Sequence, residues 1–141
     1  MKKIKKYWFE IVLIFVLIVA LIGKTYSQEY SINTIKKELL KQNIKHPDIV
    51  IKQIILETGW LNCTNCALDN NNLFGFWWNK AYKKFNTWQE GVSYYKVWQE
   101  KWYITGDYYA FLECIYKGND GECKKYASDS LYIEKLQNIK I

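Results

Sequence analysis

The sequence predicts a mainly α domain, α+β only through one small hairpin or irregular lobe around residues 73–87. Three observations carry this reading. Apolar residues recur at helical spacing in several segments joined by short polar connectors. The stretch LFGFWWNKAYKKFNT (73–87) mixes aromatics with turn formers and interrupts that spacing. The chain has 141 residues, half of them hydrophobic, which suits one domain with a real core. No internal repeat and no low-complexity segment is present.

Residues 1–27 read separately. Met1–Lys6 is lysine-rich, and Ile11–Gly23 is an unbroken apolar run of 13 residues. Thr25 and Ser27 are small residues before a possible cut at Gln28. Positive, then apolar, then small is a secretory signal pattern, and the run is short for a membrane span of about 20 residues. Counting Tyr7–Phe9 lengthens it, so inner-membrane attachment through residues 7–23 is the alternative. Both place residues 28–141 outside the cytoplasm, periplasmic or secreted.

Ser31 can cap a helix over roughly 32–43, with Ile32, Ile35, Leu39 and Leu40 on one face. Pro47 can start the next helix, with Asp48 favouring its dipole, and that helix ends at Glu57. Residues 61–72 read as a loop. Trp88 to about Tyr103 repeats Trp88, Val92, Tyr95, Gln99 and Trp102 near helical spacing. Gly106 breaks it, and Asp107 can cap a helix over about 108–117. Residues 118–125 read as a loop, and Ser128 or Asp129 can cap a last helix carrying Leu131, Ile133, Leu136 and Ile139.

The stretch IILETGW (54–60) carries the candidate chemistry. Apolar side chains surround the helix before Glu57, so it should be buried on most faces. Gly59 can take positive φ and end the helix. Glu57 then sits where a buried helix opens toward something, loses hydration, and has its pKa raised. A glutamic acid kept protonated in this way can act as a general acid.

Charge and cysteine content narrow the classes. The net charge is +6, but residues 1–27 hold five Lys against one acid, and the remainder holds 15 Lys against 13 acids. With no arginine, this leaves no nucleic-acid footprint. The single histidine, His46, speaks against a His-rich metal site and a Ser-His-Asp triad, and it precedes Pro47 as a cap or surface residue. No metal and no cofactor is indicated. Cys63, Cys66, Cys114 and Cys123 allow three pairings, of which the two local ones, Cys63–Cys66 and Cys114–Cys123, are favoured. Structural disulfides suit an oxidising compartment, and the spacing does not match a zinc site.

Four blocks in order, HPDIVIKQIILETGW (46–60), NNLFGF (71–76), FNTWQEGVSYYKVW (85–98) and YASDSLYIEKL (126–136), resemble the glucosaminidase family. This is glycoside hydrolase family seventy-three, which includes the flagellar-rod peptidoglycan hydrolase and many bacterial autolysins. The short form with CTNC and FGF is similar to small secreted versions in Bacteroidetes-type bacteria. The resemblance implies a lysozyme-like fold. It also implies endo-β-N-acetylglucosaminidase action on peptidoglycan glycan strands, cutting after N-acetylglucosamine at its β-1,4 bond to N-acetylmuramic acid. Glu57 matches the family's catalytic acid. Asn72, Leu73, Phe74 and Gly75 match the block bordering the cleft. Tyr126 and Tyr132 fall where the family has a functional tyrosine, and the sequence does not choose between them.

Trp60, Phe76, Trp77, Trp78 and Tyr82 are candidates to stack on sugar faces. Neighbours in a strand point to opposite faces, so one of Trp77 and Trp78 is expected to be exposed. The chain departs from the family in one respect. Residues 73–87 hold no Asp or Glu, where relatives often carry a second carboxylate. Asp69 and Glu90 flank the gap. Asp69 reads more simply as a turn residue and Glu90 as a first-turn helical acid. Substrate-assisted glycosidases instead use the sugar's own 2-acetamido group. A catalytically silent glycan-binding or assembly protein on the same fold is the alternative.

Overall fold

A computed structural model of the chain describes residues 30–141. The expected signal peptide or anchor, residues 1–27, lies outside the described residues. Five α-helices and two antiparallel hairpins make up the described residues. Their order is α1 (Ile32–Lys41), α2 (Pro47–Glu57), a 3-10 turn (Ala67–Asn70), β1 (Trp77–Trp78), β2 (Ala81–Tyr82), α3 (Trp88–Trp102), α4 (Tyr108–Glu113), β3 (Tyr116–Lys117), β4 (Cys123–Lys124) and α5 (Tyr132–Asn138). The fold is mainly α. None of the described helices is long and apolar enough to cross a membrane.

The helix starts follow local chemistry. Ser31 and Thr34 form a reciprocal capping box on α1. Pro47 opens α2, where a missing N–H costs nothing, and His46 before it takes φ +52° without a side-chain cap bond. Thr87 caps α3 through Glu90 N, and Asp107 caps α4 through Tyr109 N. Helix α1 stops at Lys41, two residues earlier than the apolar spacing suggests, because Asn43 turns left-handed at φ +57°.

Helix α2 packs on α1 to one side and α5 to the other. Val50, Ile51, Ile54 and Ile55 are buried on it, as the apolar run requires. Ile35 and Leu39 of α1, Val92 and Tyr95 of α3, Leu112 of α4 and Leu136 of α5 complete the core. Burying each such aliphatic side chain stabilises the fold by roughly 1.5–3 kcal/mol before entropy is charged against it.

Three expectations are corrected. The helix expected over 108–117 ends at Glu113, and the chain forms the β3–β4 hairpin instead. Ile115 N bonds Lys124 O, Tyr126 N bonds Leu112 O, and the Cys114–Cys123 disulfide closes the loop. Backbone pairing across that bridge outcompetes continuation of the helix. Neither Ser128 nor Asp129 caps α5, whose first turn follows Leu131; Asp129 accepts from Leu131 N just outside it. Finally, both Trp77 and Trp78 are exposed. All four residues of the β1–β2 hairpin are exposed, so neither strand face is a core face and alternation buries nothing.

Candidate active site

Glu57 is the last residue of α2. The chain then leaves the helix abruptly: Gly59, Trp60 and Leu61 all take positive φ, at 54°, 62° and 62°. Buried Thr58 holds that turn, donating from Oγ1 to Ile54 O and accepting from Leu61 N. The Cys63–Cys66 disulfide follows at once. A left-handed non-glycine residue costs of order 1–3 kcal/mol, so two in a row mark a turn imposed by its surroundings. The result is a helix that stops with its last carboxyl facing a cleft.

That cleft has a volume of about 450 Å3. Glu57, Gly75, Phe76, Trp77, Trp98, Lys125, Tyr126 and Ser128 are among the residues lining it. Burial raises the pKa of Glu57 above its ordinary value of 4.5, against a smaller lowering by the hydroxyl of Tyr132. Tyr132 Oη donates to Glu57 Oε1 at 3.0 Å. On the opposite side stands Gly75, at φ +66°; a Cβ there would lie 2.5 Å from Glu57 Oε2. The absence of that carbon lets the backbone pass the carboxyl and leaves Oε2 open.

The structure separates the two tyrosines. Tyr126 lines the cleft, and its hydroxyl donates to Phe74 O at 2.8 Å. Tyr132 is buried behind Glu57 and touches the acid itself. Their rings stack at 5.7 Å between centroids. Burial holds both phenols well above their ordinary pKa, with the neighbouring carboxylate adding to it. Both are therefore neutral hydroxyls near pH 7, able to donate or to hold a water but not to attack as phenolates.

The block at 72–75 divides likewise. Asn72 is fully buried, donating from Nδ2 to Phe76 O at 2.8 Å and Lys83 O at 3.0 Å and accepting from Phe76 N. Its amide is spent holding the lobe shut. Leu73 is core. Phe74 stacks on Tyr95 at 4.1 Å and anchors the lobe to α3, and only its edge reaches the cleft. Such a pair is worth about 0.5–1.5 kcal/mol beyond its buried area.

Of the five aromatic candidates, Phe76 and Trp77 line the cleft. Trp78 and Tyr82 are exposed on the hairpin outside that lining, with Tyr82 edge-on to Trp77 at 4.8 Å. Trp60 is exposed on the turn after α2, also outside it. Asp69 and Glu90 are engaged elsewhere: Asp69 accepts from Cys66 N to cap the 3-10 turn, and Glu90 accepts from Asn86 N at the start of α3. Glu57 is the only carboxylate in the cleft lining. Trp98 and Lys125 were not singled out by the sequence; Trp98 appeared only at the end of the block 85–98, off the helical spacing, and Lys125 carried only its place beside Tyr126. Among the described residues no group of three His, Cys, Asp or Glu is placed to hold a metal ion.

A mainly helical domain with one half-buried carboxyl in an aromatic-lined cleft and a hairpin lobe beside it fits a class, the lysozyme-like glucosaminidases. Within that class the chain belongs to the Glucosaminidase family. The family model, described as mannosyl-glycoprotein endo-β-N-acetylglucosaminidase, matches residues 32–140. No curated protein and no solved structure matches the chain. The family is one of glycoside hydrolases acting on peptidoglycan. Membership and the two disulfides agree in indicating a place outside the cytoplasm.

Proposed function

We propose that this chain is an active endo-β-N-acetylglucosaminidase of peptidoglycan in which Glu57 is the general acid and the only protein carboxylate of the reaction. One observation carries the proposal: a single carboxyl with a raised pKa lines the cleft, while Asp69 caps the 3-10 turn and Glu90 accepts from Asn86 N ahead of α3. Glu57 donates its proton to the glycosidic oxygen as that bond breaks. The 2-acetamido carbonyl oxygen of the N-acetylglucosamine bonds to the anomeric carbon from the other face, giving a cyclic oxazolinium. Water then opens the ring, losing its proton to the Glu57 carboxylate, and the anomeric configuration is retained. Tyr126, neutral and facing the cleft, orients the sugar or that water, and Tyr132 positions the acid. Phe76, Trp77 and Trp98 offer faces to the sugar rings.

The full chain, incubated with purified peptidoglycan, should release new N-acetylglucosamine reducing ends identifiable by mass spectrometry. Turnover should fall as pH rises through the raised pKa of Glu57, because the acid form is lost. Glu57→Gln should lower turnover by at least about a thousandfold with the fold intact. New N-acetylmuramic acid ends would make the protein a muramidase. Binding without release would make it a glycan-binding module. Net inversion would replace the acetamido attack by a water held at Tyr126.

A further inference from the structure

We infer that Gln53 is a positioning residue, closing a one-way chain of hydrogen bonds that runs from the Lys45 backbone to Glu57 Oε1 and so places the acid's proton on Oε2, the oxygen beside Gly75. The inference rests on the hydrolase reading only for its consequence in turnover; the bonds from Lys45 to Gln53 and from Tyr132 to Glu57 are seen in the structure, and the link from Gln53 Nε2 to Tyr132 is the inferred step.

The direction is fixed at its far end. Gln99 is buried, and Lys45 N donates to its Oε1 at 2.7 Å while its Nε2 donates to Lys45 O at 2.9 Å. A backbone N–H can only donate and a carbonyl can only accept, so the two ends of this amide are distinguished without ambiguity. The second hydrogen on Nε2 goes to Tyr108 Oη, 2.8 Å away. That nitrogen has no lone pair to offer, so Tyr108 must place its own hydrogen on its other partner, Tyr95 Oη, at 2.6 Å. Tyr95 in turn must donate onward, to Gln53 Oε1 at 2.7 Å. Each hydroxyl has one hydrogen, and once the first is assigned the rest follow.

The Gln53 amide is thereby oriented, with oxygen toward Tyr95 and nitrogen away from it. Gln53 lies one helical turn before Glu57 on α2, so the two side chains share a face. Gln53 Nε2 is the only buried side-chain nitrogen or oxygen among the described residues that lacks a hydrogen-bond partner. An unpaired buried amide is costly and calls for an explanation. The group placed to use it is the phenol of Tyr132, which bonds Glu57 one turn further along the same face of α2 and whose pKa the Gln53 amide lowers, as a donor does. An N–H aimed at that oxygen takes up one of its lone pairs and favours the donation of Tyr132's own hydrogen to Glu57 Oε1. An oxygen that accepts there is not the one carrying the acid's proton. The proton is left on Oε2, which only the missing Cβ of Gly75 keeps accessible. Tyr126 and Lys125, from the segment before α5, line the same cleft, and Lys125 is the one other charged residue in that lining.

The readout is the titration of Glu57 itself, followed in the full chain by the 13C carboxyl signal that Glu57→Gln removes. Tyr95→Phe cuts the chain with little change of shape and frees the Gln53 amide to turn over. Gln53→Leu removes the amide outright. In either variant Tyr132 loses the donor that aims it, and the Glu57 carboxylate loses its own. The Glu57 pKa should therefore rise in both, and turnover should fall about tenfold at pH below it, since the carboxylate that forms as the proton is given up has lost a hydrogen bond. Tyr103→Phe removes a hydroxyl that bonds Gly106 O and His46 outside this chain, and should leave the titration unchanged. If the Glu57 titration does not move in folded Tyr95→Phe, or moves as far in Tyr103→Phe, the inference is overturned. Should Gln53→Leu not fold, Tyr95→Phe decides alone. If the titration moves as described but the native chain releases no reducing ends, the bond chain holds and the hydrolase reading falls.

Discussion

Gly75 decides whether Glu57 can reach anything. Its positive φ and the 2.5 Å separation of a virtual Cβ from Glu57 Oε2 act together, because an alanine would be strained and would also press on the reacting oxygen. Gly75→Ala should cost about 1–2 kcal/mol in stability from the left-handed backbone alone. Reducing-end release should fall at least tenfold, more than that loss of stability explains; melting and turnover measured on one preparation separate the two. An alanine variant as active as the native chain would show that Oε2 is not the working oxygen. Much at this level could be read in advance. Glu57 announced itself as a carboxylate at the end of an apolar run, and Gly75 as part of a block bordering the cleft. What Gly75 approaches could not be read, because its partner lies 18 positions back on another element. Tyr126 and Tyr132 looked equivalent for the same reason: one bonds Phe74 O and the other Glu57, contacts set by tertiary packing. Gln53 did leave a trace, a polar residue among Val50, Ile51, Ile54 and Ile55, but a trace without a direction.

The β1–β2 hairpin overhangs the cleft through Trp77 yet buries none of its own residues, so its turn and its root must hold it. The root is Asn72, whose amide joins Phe76 and Lys83 on either side of it. The turn is Asn79–Lys80, with φ of 48° and 64°, the type I′ pattern that suits the twist of a two-residue hairpin. Asparagine tolerates that region, and lysine does so poorly. Lys80→Gly should therefore stabilise the hairpin by about 0.5–1 kcal/mol, seen as greater hydrogen-exchange protection of Lys83 N, which bonds Phe76 O. Slower exchange there with unchanged protection of α2 would locate the gain in the lobe, and no change would mean the turn carries no strain. Elements set by their own ends, such as α1 behind Ser31, α2 behind Pro47 and α4 behind Asp107, were legible from the sequence. The β3–β4 hairpin was not. Its first strand continues the spacing that suits a helix to 117 and its second lies in the stretch 118–125 that reads as a loop, and only the bridge from Cys114 to Cys123 and the pairing with Lys124 turn the chain back.

The two disulfides sit beside the cleft rather than through the core. Cys63–Cys66 seals the left-handed turn that releases Glu57 from α2, and Cys114–Cys123 seals the hairpin whose flanks, Ile115, Lys125 and Tyr126, form the far wall. The core of Ile35, Leu39, Ile51, Ile54, Val92 and Leu136 is fully buried. It is held by helix packing that neither bridge crosses. Loop-closure entropy assigns about 2.5 kcal/mol to a bridge closing about ten residues and about 2 kcal/mol to one closing about four. Two such losses are large for a domain with roughly 5–15 kcal/mol in all, yet they fall on the cleft walls and not on the helices. Reduction with dithiothreitol should therefore lower the melting temperature while far-UV circular dichroism at 25 °C keeps its helical shape. Reducing-end release should fall by a larger factor than the folded fraction does. Replacing Cys114 and Cys123 together by serine should reproduce most of the loss in turnover, because that bridge supports Tyr126. A reduced chain that stays folded and hydrolyses at the native rate would mean that helix packing alone holds the cleft, and that the bridges serve only durability outside the cytoplasm.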